Sequence, residues 1–226
     1  MNWIEESAKA GKNLKRQYKL RDIEIFIKDK LPEDIDPDFI FKYIASVLPE
    51  HLLNGIDIVY VGQFEHLEKR QVRAIYEDGA IFVTNEQDTD MDMIDDIIHE
   101  VAHANEAVHK EIIYGDGKLE VEFKKKRAEL YRTLVVKERK PPIALMHDIN
   151  FNQEVDDYLF REIGYPVLSQ LASFSSLFLG AYSCTSLREY FASGFEYYFM
   201  GEQQVIKDIC PVLFLKLKSI NNLEDQ

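Results

Sequence analysis

Hydrophobic and polar positions alternate in two different periods along this chain, and the change of period divides it. Near the N-terminus, Ile23, Ile25 and Ile27 alternate with polar neighbours, the pattern of a half-buried strand. Asp36-Pro37 then opens a helix lined by Phe39, Ile40, Tyr43, Ile44 and Val47, with the aspartate as cap and the proline in the first turn. Ile56–Val61 is strand-like. Gln71–Tyr76 and Ala80–Thr84 flank Asp78-Gly79, the dipeptide that favours a tight hairpin turn. Beyond Thr89 the period becomes helical. Ile94, Ile97, Ile98, Val101, Ala104 and Val108 gather on one side of a helix that Thr89 and Asp92 cap, and Asp92, Asp95, Asp96, His99, His103 and Glu106 gather on the other. Helices are expected from Leu119 to about Lys137 and over 152–162, 166–178, 186–200 and 211–218.

Strands in the first third followed by helices predict an α+β fold, a small twisted sheet with a mainly helical C-terminal half. The strand over Ala80–Thr84 is expected to form the sheet edge over a cleft, where an extended peptide could pair with it. Residues 1–20 read as a basic N-terminal helix or arm carrying Lys9, Lys12, Lys15, Arg16 and Lys19. Residues 21–226 are expected to form a single domain, since a chain of 226 residues that is 46% hydrophobic can bury one sizeable core.

Charge narrows the partners. A net charge of −13 disfavours non-specific nucleic-acid binding, which needs Lys and Arg against phosphate. From Ala74 to His109 there are acids but no Lys or Arg, which suggests a preference for basic peptide segments. Two cysteines, Cys184 and Cys210, make no disulfide framework and no C-x-x-C motif. No apolar run reaches membrane-spanning length and the first residues carry no apolar leader pattern, so a cytoplasmic protein with no membrane partner is expected.

The polar side of the helix after Thr89 holds the chemistry. His99-Glu100-Val101-Ala102-His103 is an H-E-x-x-H sequence. Four helical residues bring the second imidazole one turn up and about 40° round, so both can reach one ion. Zinc suits neutral imidazole. Glu100 is placed to take a proton from a metal-bound water.

A catalytic zinc needs a third protein ligand and an open position. Two candidates stand in the sequence. His109 completes H-E-x-x-H-x-x-E-x-x-H, close to the metzincin pattern, with Met146 downstream. That pattern has a glycine where this chain has Glu106. On a continuous helix His109 lies about 120° round from His103 and roughly 9 Å further along. Glu189 is the other candidate. It begins Glu189-Tyr190-Phe191-Ala192-Ser193-Gly194-Phe195 on a later predicted helix.

That second motif, after the first, resembles the catalytic domain of anthrax lethal factor and the related Pro-Pro endopeptidases. The resemblance covers about the C-terminal two thirds of the chain. It implies a zincin-like fold of the gluzincin type, Zn2+ as cofactor, Glu189 as third ligand, and a tyrosine seven residues earlier that stabilises the oxyanion. Tyr182 stands there. The expected activity is a zinc-dependent endopeptidase acting on a protein or peptide substrate, with Glu100 and Tyr182 catalytic and His99, His103 and Glu189 holding the metal. A metzincin using His109, or a non-catalytic interaction module on the same fold, are the alternatives. Glu106 is a candidate acceptor for a ligand imidazole N–H, and Glu196 lies on the face of Glu189.

Overall fold

In the computed structural model, residues 16–175 and 177–223 are described. The chain forms two compact units, Met1–Val108 and His109–Gln226. The class is mixed α and β, as the order of periods predicts.

The first unit is built on a five-stranded sheet ordered β1-β2-β3-β5-β4. Its strands are β1 (Arg16–Leu20), β2 (Ile23–Ile27), β3 (Ile58–Val61), β4 (Ala74–Glu77) and β5 (Ala80–Val83). β2, β3 and β5 run parallel, while β1 and β4 are antiparallel to their neighbours. Helix α1 (Pro37–Val47) crosses from β2 to β3. The Asp36 carboxylate caps it by accepting from the N–H groups of Asp38 and Phe39. Helix α2 (Glu65–Arg70) follows β3. Ile23, Ile25, Ile27, Val59, Val61, Ile81 and Val83 are buried on one face of the sheet, and Ile40, Phe41 and Ile44 of α1 are buried with them. On the other face the register aligns Phe26, Tyr60 and Phe82 in a cross-strand aromatic row, with ring centroids 6.0 and 5.1 Å apart.

Two expectations are corrected in this unit. Residues 1–20 read as a basic helix or arm, yet Arg16–Leu20 is a strand paired residue for residue with β2. The short turn at Arg21, with φ of 55°, folds it back, and buried Leu20 contributes to the core. Residues 1–15 of that arm lie outside the described residues. The strand at Ala80–Thr84 is not the sheet edge: β5 lies between β3 and β4, and β4 is the edge. Ile81 and Val83 are fully buried, as an interior strand requires, whereas the residues of β4 remain half-exposed or exposed. The hairpin between them turns on Asp78 (φ 46°) and Gly79 (φ 86°), both left-handed as a two-residue type I′ turn demands.

Helix α3 (Asp90–Tyr114) follows β5 after a short loop in which Asn85 and Gln87 are buried. Thr89 caps it: its hydroxyl accepts from the Asp92 N–H at 3.2 Å and donates to the Asp92 carboxylate at 2.9 Å. Its backbone departs from helical angles at His109, where φ is −111° and ψ 22°.

The second unit is helical: α4 (Lys118–Val136), α5 (Ala144–His147), α6 (Gln153–Asp157, continued by a π-helical turn to Ile163), α7 (Tyr165–Ser175), α8 (Leu187–Met200), α9 (Gln203–Ile209) and α10 (Pro211–Asn221). Tyr190, Phe191, Phe195 and Tyr198 of α8 are buried, the core packing their clustering predicts. Gly194 lets α8 approach Leu213 of α10. Two cations of α4 are buried as well. Lys126 donates to the carbonyls of Leu177 and Ile209, both at 2.7 Å. Arg127 donates to the carbonyls of Asp148 (2.8 Å) and Thr185 (3.3 Å), and so holds the chain just ahead of α8. Glu122 caps α10 by accepting from Val212 and Leu213 N–H, and also accepts the Tyr190 hydroxyl at 2.9 Å. Among the described residues no helix is long and apolar enough to cross a membrane.

Candidate metal centre

The site begins with an anomaly on α3. Its apolar side is buried, with Met93, Ile94, Ile97, Ile98 and Val101 wholly inaccessible, although Val108 is exposed. Three polar side chains of the same helix are buried too, while Asp95 on that face is exposed. Glu100 is 6% exposed, His103 7% and Glu106 7%. Charged and polar side chains are seldom placed there without partners or a task. Here each has a partner. The Glu106 carboxylate lies 2.6 Å from His103 Nδ1. A proton on Nδ1 donates to that carboxylate, and in that tautomer Nε2 is the nitrogen with the lone pair a metal needs. Glu100 accepts the backbone N–H of Tyr76, on edge strand β4, at 2.6 Å. Asn105 donates to the carbonyls of Leu52 and Val101, both at 2.8 Å, and ties the same helix turn to the loop before β3. One turn before His99, burial pushes the Asp96 carboxyl up from its ordinary range, against the Gln87 amide that donates to it at 2.8 Å.

His99 is half-buried, and its ring meets that of His103 at 4.8 Å between centroids in a T-shaped contact. This is the one-turn spacing anticipated for a pair of ligands. Glu189 stands in the first turn of α8. Ser186 caps that helix and accepts the Glu189 N–H at 3.2 Å, so Glu189 fills the acidic position of a capping box. One ligand atom from each of His99, His103 and Glu189 lies within 4.8 Å of the others, the one such group among the described residues. Two imidazole nitrogens and a carboxylate oxygen form a donor set that can hold a metal ion.

His109 is not a member of this group, and neither is Glu196. The same holds for His51, His66 and His147, and His66 instead packs edge-on against Phe82 at 4.8 Å. Tyr182 opens a short 3-10 turn ahead of α8, is 42% exposed, and sets its ring against Tyr165. Cys184 and Cys210 are free and buried. Two contributors escape a reading of side-chain motifs. Tyr76 acts through its backbone N–H, which any residue but proline would supply. Arg127 acts by anchoring the Thr185 carbonyl, and a helix rich in lysine and arginine gives no sign of which cation is buried. No protein-family model, curated protein or solved structure matches this chain. The functional reading rests on the site itself.

Proposed function

We propose that the protein is a zinc-dependent endopeptidase of the gluzincin type, similar in its site motifs to the lethal factor catalytic domain and the Pro-Pro endopeptidases. The observation that carries this reading is the gathering of His99, His103 and Glu189 donor atoms within 4.8 Å, with Glu100 next to His99. Zinc bound there would polarise a scissile carbonyl and make a water molecule acidic at neutral pH. Glu100 would take the proton of the attacking water and hand it to the departing amine. Tyr182 would donate its phenolic hydrogen as negative charge builds on the carbonyl oxygen. Glu106 would hold His103 in the tautomer that ligates. The intact glutamate at position 100 favours catalysis over a purely structural metal, which would need no such acid.

β4 takes the role first expected of β5. Thr84 N–H donates to the Arg73 carbonyl at 2.8 Å, so the alternation of an antiparallel ladder points the N–H and C=O groups of Ala74 and Tyr76 away from β5. An extended peptide pairing with this edge would lie beside Glu100. The test is a peptide-library digestion with the zinc-loaded protein and with Glu100→Gln. The reading expects peptide-bond cleavage that Glu100→Gln loses while keeping its zinc; equal cleavage by both proteins would refute it.

A further inference from the structure

The edge strand does more than border the site. Residue 76 has its N–H directed out of the sheet, since Tyr76 faces Ile81 at a non-hydrogen-bonded position of the β4–β5 ladder. An outward N–H on an edge strand ordinarily meets water or a partner strand. This one meets the Glu100 carboxylate at 2.6 Å, a short contact between a backbone donor and a carboxylate, and Glu100 is almost fully buried. The Tyr76 side chain is fixed separately, by donating its hydroxyl to the Gly55 carbonyl at 3.0 Å. Backbone donor and side chain therefore hold β4 at two points, one of them the carboxylate proposed as general base.

We infer that Tyr76 is a positioning residue for this reaction: its backbone N–H fixes one oxygen of the Glu100 carboxylate and so sets the orientation in which that carboxylate meets the attacking water. The inference rests on the peptidase reading for its catalytic consequence, though not for the hydrogen bond. A freely rotating carboxylate would spend much of its time with neither oxygen aimed at the water. Misplacement by about 1 Å can cost a hundredfold in rate. It follows that a substrate strand on β4 cannot use the Tyr76 N–H without releasing Glu100, so pairing there falls to the other outward groups of Ala74 and Tyr76.

Proline gives a selective test, because an outward-facing edge position tolerates it without loss of a ladder bond. Tyr76→Pro removes the donor and the ring, while Tyr76→Ala removes the ring alone. Zinc-loaded Tyr76→Pro should show kcat about tenfold to a hundredfold below that of Tyr76→Ala, with KM and zinc content alike in the two. Equal kcat would overturn the positioning role. Hydrogen exchange provides a readout independent of activity, and of whether the proline variant folds. The Tyr76 amide should be protected in the wild type and lose about tenfold or more of its protection in Glu100→Ala, while the ladder amides of Ile75 and Glu77 keep theirs. Unchanged protection at Tyr76 would overturn the inference. A zinc-loaded wild type that cleaves no peptide, with Tyr76 protected through Glu100, would instead overturn the peptidase reading and the catalytic role with it, leaving the hydrogen bond.

Discussion

Removing the Glu106 carboxylate should weaken metal binding although Glu106 is not itself a member of the ligand group. The pair it forms with His103 is short, at 2.6 Å, and the two side chains are only 8% and 9% exposed. Water cannot readily replace the lost partner. A hydrogen bond to a charged group contributes about 1.5–3 kcal/mol. Loss of the acceptor on a ligating histidine typically lowers metal affinity about 10- to 100-fold, or about 1.4–2.7 kcal/mol. The two scales agree, so Glu106→Ala should raise the zinc Kd by that factor. Glu106→Gln, which keeps an acceptor oxygen but loses the charge, should fall between Glu106→Ala and the wild type. Competition against a fluorescent zinc chelator measures the Kd, with circular dichroism and a thermal melt to establish that each variant is folded. Glu68→Gln, on exposed α2, is the control. A folded Glu106→Ala whose Kd stays within about twofold of wild type would refute the claim that Glu106 prepares His103 for the metal.

Glu189→Ala should weaken zinc binding severely and His109→Ala should leave it nearly intact, measured by the same competition; the reverse result would favour a metzincin arrangement. Gly194→Ala should destabilise the protein, because a Cβ there would meet buried Leu213 Cγ at 2.8 Å. Overpacking costs about 1–3 kcal/mol, against about 1 kcal/mol of helix propensity gained, so the urea midpoint should fall at constant slope, and a rise would contradict the packing described. Burial pushes the thiols of Cys184 and Cys210 up to about 12 and about 11. Both stay protonated and buried as pH rises through 8, so a thiol reagent should label neither in the native protein and both after unfolding; rapid labelling of the native protein would contradict this.

What could be read from the sequence was mostly local chemistry. Asp36-Pro37, Thr89 with Asp92, and Asp78-Gly79 each specify a cap or a turn through neighbouring atoms alone, and each appears where its residues stand. His99 and His103 were legible for the same reason, since one helical turn fixes their separation. Features that depend on distant pairing were not. Arg16–Leu20 becomes a strand only because β2 folds back along it, and the place of β5 inside the sheet depends on strand order, which short-range alternation does not encode. The acidic stretch after Ala74 also looks different once folded. Arg70 pairs with Glu77 at 3.0 Å and Arg73 with Asp88 at 3.7 Å, so cations just outside the stretch offset part of the charge that suggested basic substrates. Glu189 could be singled out only through resemblance, because it stands 86 positions after His103 and no spacing rule connects them. The burial of Glu106 and the Tyr76 donor are products of tertiary packing.

The central claim is tested most directly by anomalous scattering at the zinc edge from crystals of the zinc-loaded protein. The account predicts one zinc per chain, with an imidazole nitrogen of His99, an imidazole nitrogen of His103 and a carboxylate oxygen of Glu189 each about 2.0–2.2 Å from it. A zinc peak coordinated by other residues, or no ordered zinc beside His99 and His103, would contradict it.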